Sequence, residues 1–357
     1  MKPCNKKSVY IGVALMASLA ALTIYIISKE FGLSSVVSIL KSINPWFLIP
    51  AVLCMLMFSL GEALNIRIGL KLSGYKTSLL SSLKYAYTGF FFSSVTPSAS
   101  GGQPAQIYAM HRDGVKVSHA SFSLLLELIG YEVASISIAT LGLIVSLFSP
   151  LKLFEGINIG WVLVLGFFVN FLLLSGLVLI MFSKKAVKTI ARIIIKIVGI
   201  FSKKKGTEYK LLRTFAEYRL SAKQLKRNRG VLLKVILISL LQFGAYHSIT
   251  YFCYRSFGLS ERNLIEIMSL QGLLFTSVSC IPLPGSSGAM EGGFGLLFRK
   301  VFTEGIIGSA IVLCRLISFA LPLILSGLFL LIAGRSKKSY GRIEKSAIIT
   351  PGTGRAA

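Results

Sequence analysis

IPLPGSSGAMEGG, residues 281–293, lies downstream of an apolar run and holds two prolines, two serines, four glycines and one carboxylate. In hydrocarbon such a stretch leaves backbone groups with neither water nor helical partners, at several kcal/mol for each. It is tolerated at membrane depth only where it is buried in protein or borders a wet cavity. Its reading therefore separates a plain helical bundle from one built around broken segments.

The flanking sequence is that of a membrane protein. Of the 357 residues 54% are hydrophobic, and mean hydropathy is +0.74. Runs near the length of about 20 residues that crosses a bilayer occur at 8–28, 45–64, 119–148, 159–182, 232–253 and 306–333. Two more segments, 82–113 and 263–298, are apolar but interrupted by Gly, Pro and Ser.

The formal charge of +26 raises the question of nucleic acid, and its distribution answers it. Of the 39 Lys and Arg, 31 fall in 2–7, 67–116, 184–234 and 335–355. That unevenness is what the positive-inside rule expects of cytoplasmic segments, so the charge reports topology and attraction to anionic lipid. No nucleic-acid partner is expected. The expected location is the plasma membrane, multi-pass, with both termini cytoplasmic.

On this topology both ends of 82–113 are cytoplasmic and both ends of 263–298 are external. Each is read as a re-entrant hairpin, and the two enter from opposite faces. GFFFSSV at 89–95 and GLLFTSV at 272–278 share four identities in seven at an offset of 183, and each precedes a Pro/Gly/Ser break. The expected fold is an all-α polytopic membrane protein of about six full spans plus two re-entrant helical hairpins, arranged as an inverted repeat.

The strongly basic stretch 183–231 contains YKLLRTFAEYRLSAKQL, with Leu211, Leu212, Phe215, Tyr218 and Leu220 at helical spacing. It reads equally as an amphipathic helix on the inner leaflet or a solvated charged linker. Lys6 and Lys7 precede an apolar run to Ile27 without a convincing cleavage site, the pattern of an uncleaved signal anchor.

The breaks carry the candidate substrate-binding residues: Pro97, Ser98, Ser100, Gly101, Gly102 and Gln103 in the first, and Pro284, Gly285, Ser286, Ser287, Gly288 and Glu291 in the second. Prolines stop helices, glycines admit close approach, and serines suit the caps of the helices that follow. Free N–H groups and the positive dipole end at such starts favour a phosphate or other anion. Ionisable residues inside apolar segments are expensive and face a pathway or one another. Glu127, Glu132 and Arg315 are read as charge-balancing or gating groups, with an Arg315 pair to Glu291 or Glu127 as the structural alternative. Glu62 and Glu266 are placed near the interface, and His247 is read as a bundle histidine.

No GxxxxGK[ST] loop, HExxH helix or nucleophile elbow is present. The five cysteines are scattered without a CxxC pair. No catalytic residue, metal site or cofactor is assigned.

TPSASGGQPAQIY at 96–108 and PLPGSSGAMEGG at 282–293, with the order of spans around them, resemble the flippase-like membrane domain of the lysylphosphatidylglycerol synthases. This is the multiple peptide resistance factor family, which also has stand-alone members. The resemblance runs to about residue 335, so residues 1–335 are expected to form the membrane domain and 336–357 a basic, disordered tail. Many relatives read PGG where Ser286 stands and carry a basic residue near Gln106, departures that bear on headgroup preference. The resemblance implies handling of an anionic or aminoacylated phospholipid. In full-length relatives a C-terminal acyltransferase-like domain transfers lysine from aminoacyl-tRNA; this chain shows none, so a separate synthase partner would be needed for that step. The rival expectations are a phosphatidylglycerol lysyltransferase, alone or as a subunit, and a non-transporting envelope assembly factor.

Overall fold

A computed structural model of the protein describes residues 41, 43–96, 99–148, 160–201, 207–279 and 288–333. The expected span at 8–28 and the tail at 336–357 lie outside the described residues, as do Pro97, Ser98 and Pro284 to Ser287. Among the described residues the fold is all-helical, and five helices are long and apolar enough to cross a membrane.

Helix α1, Leu48–Leu72, follows a short turn in which the Asn44 side chain accepts from the Trp46 N–H at 3.1 Å. Helices α2, Leu79–Val95, and α3, Gly102–Arg112, form the first broken pair. Then come α4, Val117–Phe148, and α5, Gly160–Phe182. The basic stretch forms α6, Lys184–Phe201, and α7, Thr207–Arg227. Next is α8, Arg229–Ser256, followed by the second broken pair, α9, Leu264–Val278, and α10, Ala289–Leu297. The last crossing is interrupted: α11, Glu304–Arg315, passes through a π-helical turn, Leu316–Ala320, into α12, Leu321–Ala333.

The seven-residue repeat extends to whole elements. Shifted by 183 residues, α1 falls on 231–255 within α8, α2 ends where α9 ends, and α4 falls on the α11–α12 crossing. The two leading helices run antiparallel: the Asn44 N–H donates to Ser256 O at 2.8 Å, and Asn65 Nδ2 donates to Ser239 Oγ at 2.9 Å. Packing is exchanged between the halves, with α4 lying on α9 and α12 on α2.

Within each broken pair the helices have 17 and 11, or 15 and 9, residues, short of the roughly 20 that span hydrocarbon. The outer ends of the first pair meet: Lys84 Nζ lies 2.6 Å from Asp113 Oδ2, and the Tyr85 hydroxyl donates to the same oxygen at 2.9 Å. The second pair closes around Tyr254. Its hydroxyl accepts from the Arg262 N–H at 3.2 Å, and its ring packs edge-on against Phe302 at 5.4 Å.

Helix α7 buries Tyr218, Ala222 and Leu225 against Phe122 and Met181, while Leu212 and Leu220, placed on its apolar face by spacing, are exposed. Helix α5 turns Phe168, Phe171, Leu172 and Leu179 outward, as suits a lipid-facing helix.

Candidate functional site

The first break is held by its own side chains. Thr96 Oγ1 accepts from the Gly101 N–H at 2.9 Å and donates to Phe92 O at 2.6 Å, so Thr96 closes the start of α3. The cap of α3 is Gly101, without a side-chain bond, and not one of the serines. Ala99 sits in the left-handed region at φ 52°, uncommon for a residue with a side chain, and marks the tip of the turn. A methyl group on Gly102 would lie 2.1 Å from Ser93 Oγ and 3.1 Å from Gly89 O, so glycine lets α3 start this close to α2 without displacing the Ser93 hydroxyl.

The second break is closed differently. Helix α10 starts at Gly288, and the Glu291 carboxylate turns back to accept the Gly288 N–H at 2.5 Å. The other side of the carboxylate meets Arg315, whose Nε lies 2.6 Å from Oε1 as a charge pair without hydrogen-bond direction. The start of α10, expected to receive a ligand anion, is therefore occupied by the chain's own carboxylate. Arg315 also stacks over Phe319, 4.7 Å from the ring centre, immediately before the π-helical turn. Such turns interrupt helices frequently at functional sites.

Between the halves lies a cavity of about 370 Å³. Ala99, Gln103 and Gln106 border it from the first break, Glu62 and Phe58 from α1, Glu127 and Tyr131 from α4, Tyr246 from α8, and Ser318 and Phe319 from the π-helical turn. Its apolar wall is a continuous aromatic cluster, with Phe58 and Tyr246 rings 4.8 Å apart and Tyr131 and Phe243 4.5 Å apart. A smaller recess of about 30 Å³ shares Tyr246 and Ser318 with it and holds Glu291 and Arg315.

The acidic groups of this interior come from the first half of α4 and from α1. Gln106 Nε2 donates to Glu62 Oε1 at 2.9 Å, with Glu62 buried. Glu127 is buried, borders the cavity and has no hydrogen-bond partner among the described residues. Glu132 is buried with Oε2 unpartnered among the described residues. Glu62 thus borders the cavity, with Gln106 as its partner. Spacing could not show this pair, because the two residues are 44 positions apart. The one available signal was a lone carboxylate in an apolar run. His247 is fully buried among Phe243, Tyr246 and Phe275, and both its ring nitrogens lack partners among the described residues.

Of the residues expected to form the site, Gln103 borders the large cavity, Glu291 and Arg315 the small recess, and Glu127 the large cavity, while Glu132 lies one residue beyond the lining Tyr131. Ser100, Gly101 and Gly102 form the turn into α3, and Gly288 begins α10.

The family model described as the lysylphosphatidylglycerol synthase TM region matches residues 9–326. A UPF0104 membrane protein of Archaeoglobus fulgidus is 27% identical over 290 residues, covering 79% of this chain and 85% of the relative. With the repeated broken helices and the cavity between the halves set beside a match over most of its length, this chain belongs to the family of the lysylphosphatidylglycerol synthase transmembrane region.

Proposed function

We propose that this protein moves a phospholipid, anionic or aminoacylated, between the leaflets of a membrane by passing its headgroup through the cavity between the two halves. The cavity itself carries this reading: it is bordered by the first break and adjoins the recess of the second. Its volume of about 370 Å³ lies within the range of about 300–1,000 Å³ typical of small-ligand sites. Carboxylates, serines and glutamines replace part of a headgroup's hydration, while the aromatic wall suits the glycerol and acyl portions.

The broken pairs act as re-entrant hairpins on this reading. The contact of Lys84 with Asp113 supports it, because the two ends of one pair cannot touch if they lie on opposite faces of a core about 30 Å thick. The antiparallel leading helices support an inverted repeat, the arrangement in which a central site opens alternately to each face. The proposed membrane domain is 1–335, with the basic segments on the cytoplasmic face of the plasma membrane.

The test uses purified protein in liposomes carrying labelled phosphatidylglycerol or its lysyl ester in one leaflet. Exchange between leaflets should be faster than in protein-free vesicles. No acceleration for either lipid, together with formation of lysylphosphatidylglycerol from lysyl-tRNA, would replace transport by the transferase reading.

A further inference from the structure

We propose that Glu62 and Glu127 together form a proton-binding site in the wall of the cavity, loaded and unloaded as the headgroup passes. Glu62 is 9% exposed and Glu127 8%, yet both border the same cavity. Gln106 offers Glu62 an amide N–H, which brings a dipole but no charge. Glu127 has no hydrogen-bond partner among the described residues, so a nine-tenths buried carboxyl points into the cavity with its bonding capacity unused.

Among the described residues that line the cavity none supplies a positive charge. Facing the pair are Gln106 from α3, Tyr131 and Glu132 from α4, and Tyr246 from α8 with His247 beside it. Helices α2 and α9 contribute Ser93, Ser94, Phe90 and Phe275, which carry no charge. Arg315, in the adjoining recess beyond Tyr246, is already held by Glu291. Like charges sharing a poorly hydrated site disfavour each other, and carboxylates at membrane depth characteristically serve proton relays. Among the described residues no three His, Cys, Asp or Glu side chains converge as metal ligands. Ca²⁺ or Mg²⁺ would take about six or more oxygens, waters included, usually with several carboxylates or carbonyls; a proton needs one carboxyl oxygen, with a second to share it.

The site stands on this geometry, while its role in transport rests on the lipid-translocation reading. The proton adds to a carboxylate oxygen and leaves to water, with no other bond changed. Purified full-length protein in phosphatidylcholine nanodiscs would be titrated from mildly alkaline to acid pH against a dye, and compared with Glu127→Gln and Glu62→Gln. Each variant should take up about one proton fewer per chain than wild type, as linkage of a shared site requires. Because either variant could misfold, the wild type is also followed by infrared difference spectroscopy, where a protonated carboxyl band should rise and fall with pH. Equal proton uptake in folded variants, or no such band in the wild type, overturns the proposal. In liposomes with an imposed pH gradient, lipid exchange should respond in the wild type and lose that response in Glu127→Gln. A proton site without any lipid exchange would sink the transport reading alone; lipid exchange with no proton difference would sink the proton site alone.

Discussion

Glu291 joins two structures that the sequence keeps apart, the start of α10 and the guanidinium ahead of the π-helical turn. The Arg315 side chain is 8% exposed and that of Glu291 26%, so the pair is largely out of water. Glu291→Gln keeps the shape and removes the charge that Arg315 faces. Removing one partner of a buried pair costs about 3–5 kcal/mol, and the partial exposure of Glu291 places this case toward the lower end. The expected result is correct insertion with a lower unfolding temperature in detergent. Arg315→Met combined with Glu291→Gln should recover most of the loss, since no unpaired charge then remains. A double variant no more stable than Glu291→Gln would show that the pair is not what fails. Both residues were legible in the sequence as charges in apolar surroundings. Glu62 was as visible but was assigned to the interface, because hydropathy along the chain does not reveal that Gln106 reaches it from another helix.

Helix α7 is fastened to the start of α4 by Glu217, which is bonded to Lys116 and, at 2.9 Å, to the Ser118 hydroxyl. Burial pushes the Glu217 carboxyl up, but the bonds from Lys116 and Ser118 and the nearby positive charge outweigh it and hold the group below its usual range. A depressed carboxylate contributes stability above its unfolded value, about 4.3, and loses it as pH falls through the folded value. Amide protection of α7 should therefore weaken in acid, and Glu217→Gln should remove that pH dependence; protection that falls equally in both would discount the latch. The crossing of α4 with α9 is tighter: a methyl group on Gly142 would lie 2.2 Å from the Ser269 carbonyl oxygen, a backbone atom that cannot swing away. Gly142→Ala should cost about 1–3 kcal/mol, the usual penalty of overpacking. Gly176→Ala, with open space around it, should be neutral or stabilising by up to about 1 kcal/mol of helix propensity. Thermal unfolding separates the two, and equal effects would remove the close crossing. The spans were legible because apolar length is a local property. The division of the basic stretch into α6 and α7 was not, although IARIIIKIVGIF alternates basic and apolar residues at helical spacing as clearly as YKLLRTFAEYRLSAKQL does. The face that α7 buries is set by Phe122 and Met181, which lie in other helices, so counting along α7 could not place Leu212 and Leu220 outside.

The repeat was visible as seven residues, yet what makes the halves one body is an exchange that no local match reveals. Helix α4 of the first half covers α9 of the second, through a bond of 3.0 Å between the Ser135 and Thr276 hydroxyls, and α12 covers α2, where the Tyr87 and Phe329 rings lie 5.1 Å apart. Within the first half α1 and α4 also pack on the broken pair through Ile66, Tyr85, Met110 and Leu124, so separating the halves uncovers the faces of α2 and α9 that α12 and α4 cover across the boundary. Backbone polar groups brought out to lipid by that loss of cover would cost several kcal/mol for each one left without a partner. The boundary between halves falls in 202–206, between α6 and α7, where a cut removes no helix of either repeat. Residues 1–204 and 205–357 expressed separately should therefore be degraded or aggregate. Expressed together, they should co-purify and recover the unfolding temperature of the intact chain to within the small entropy cost of a missing connection. Disrupting the exchange in the split protein tests the cause, because Tyr87→Ala with Phe329→Ala should weaken co-purification more than it weakens the intact chain, where the connection keeps the halves together at high effective concentration. If either half alone is stable and monodisperse in detergent, the halves are independent units and the exchange of packing is not what holds the fold.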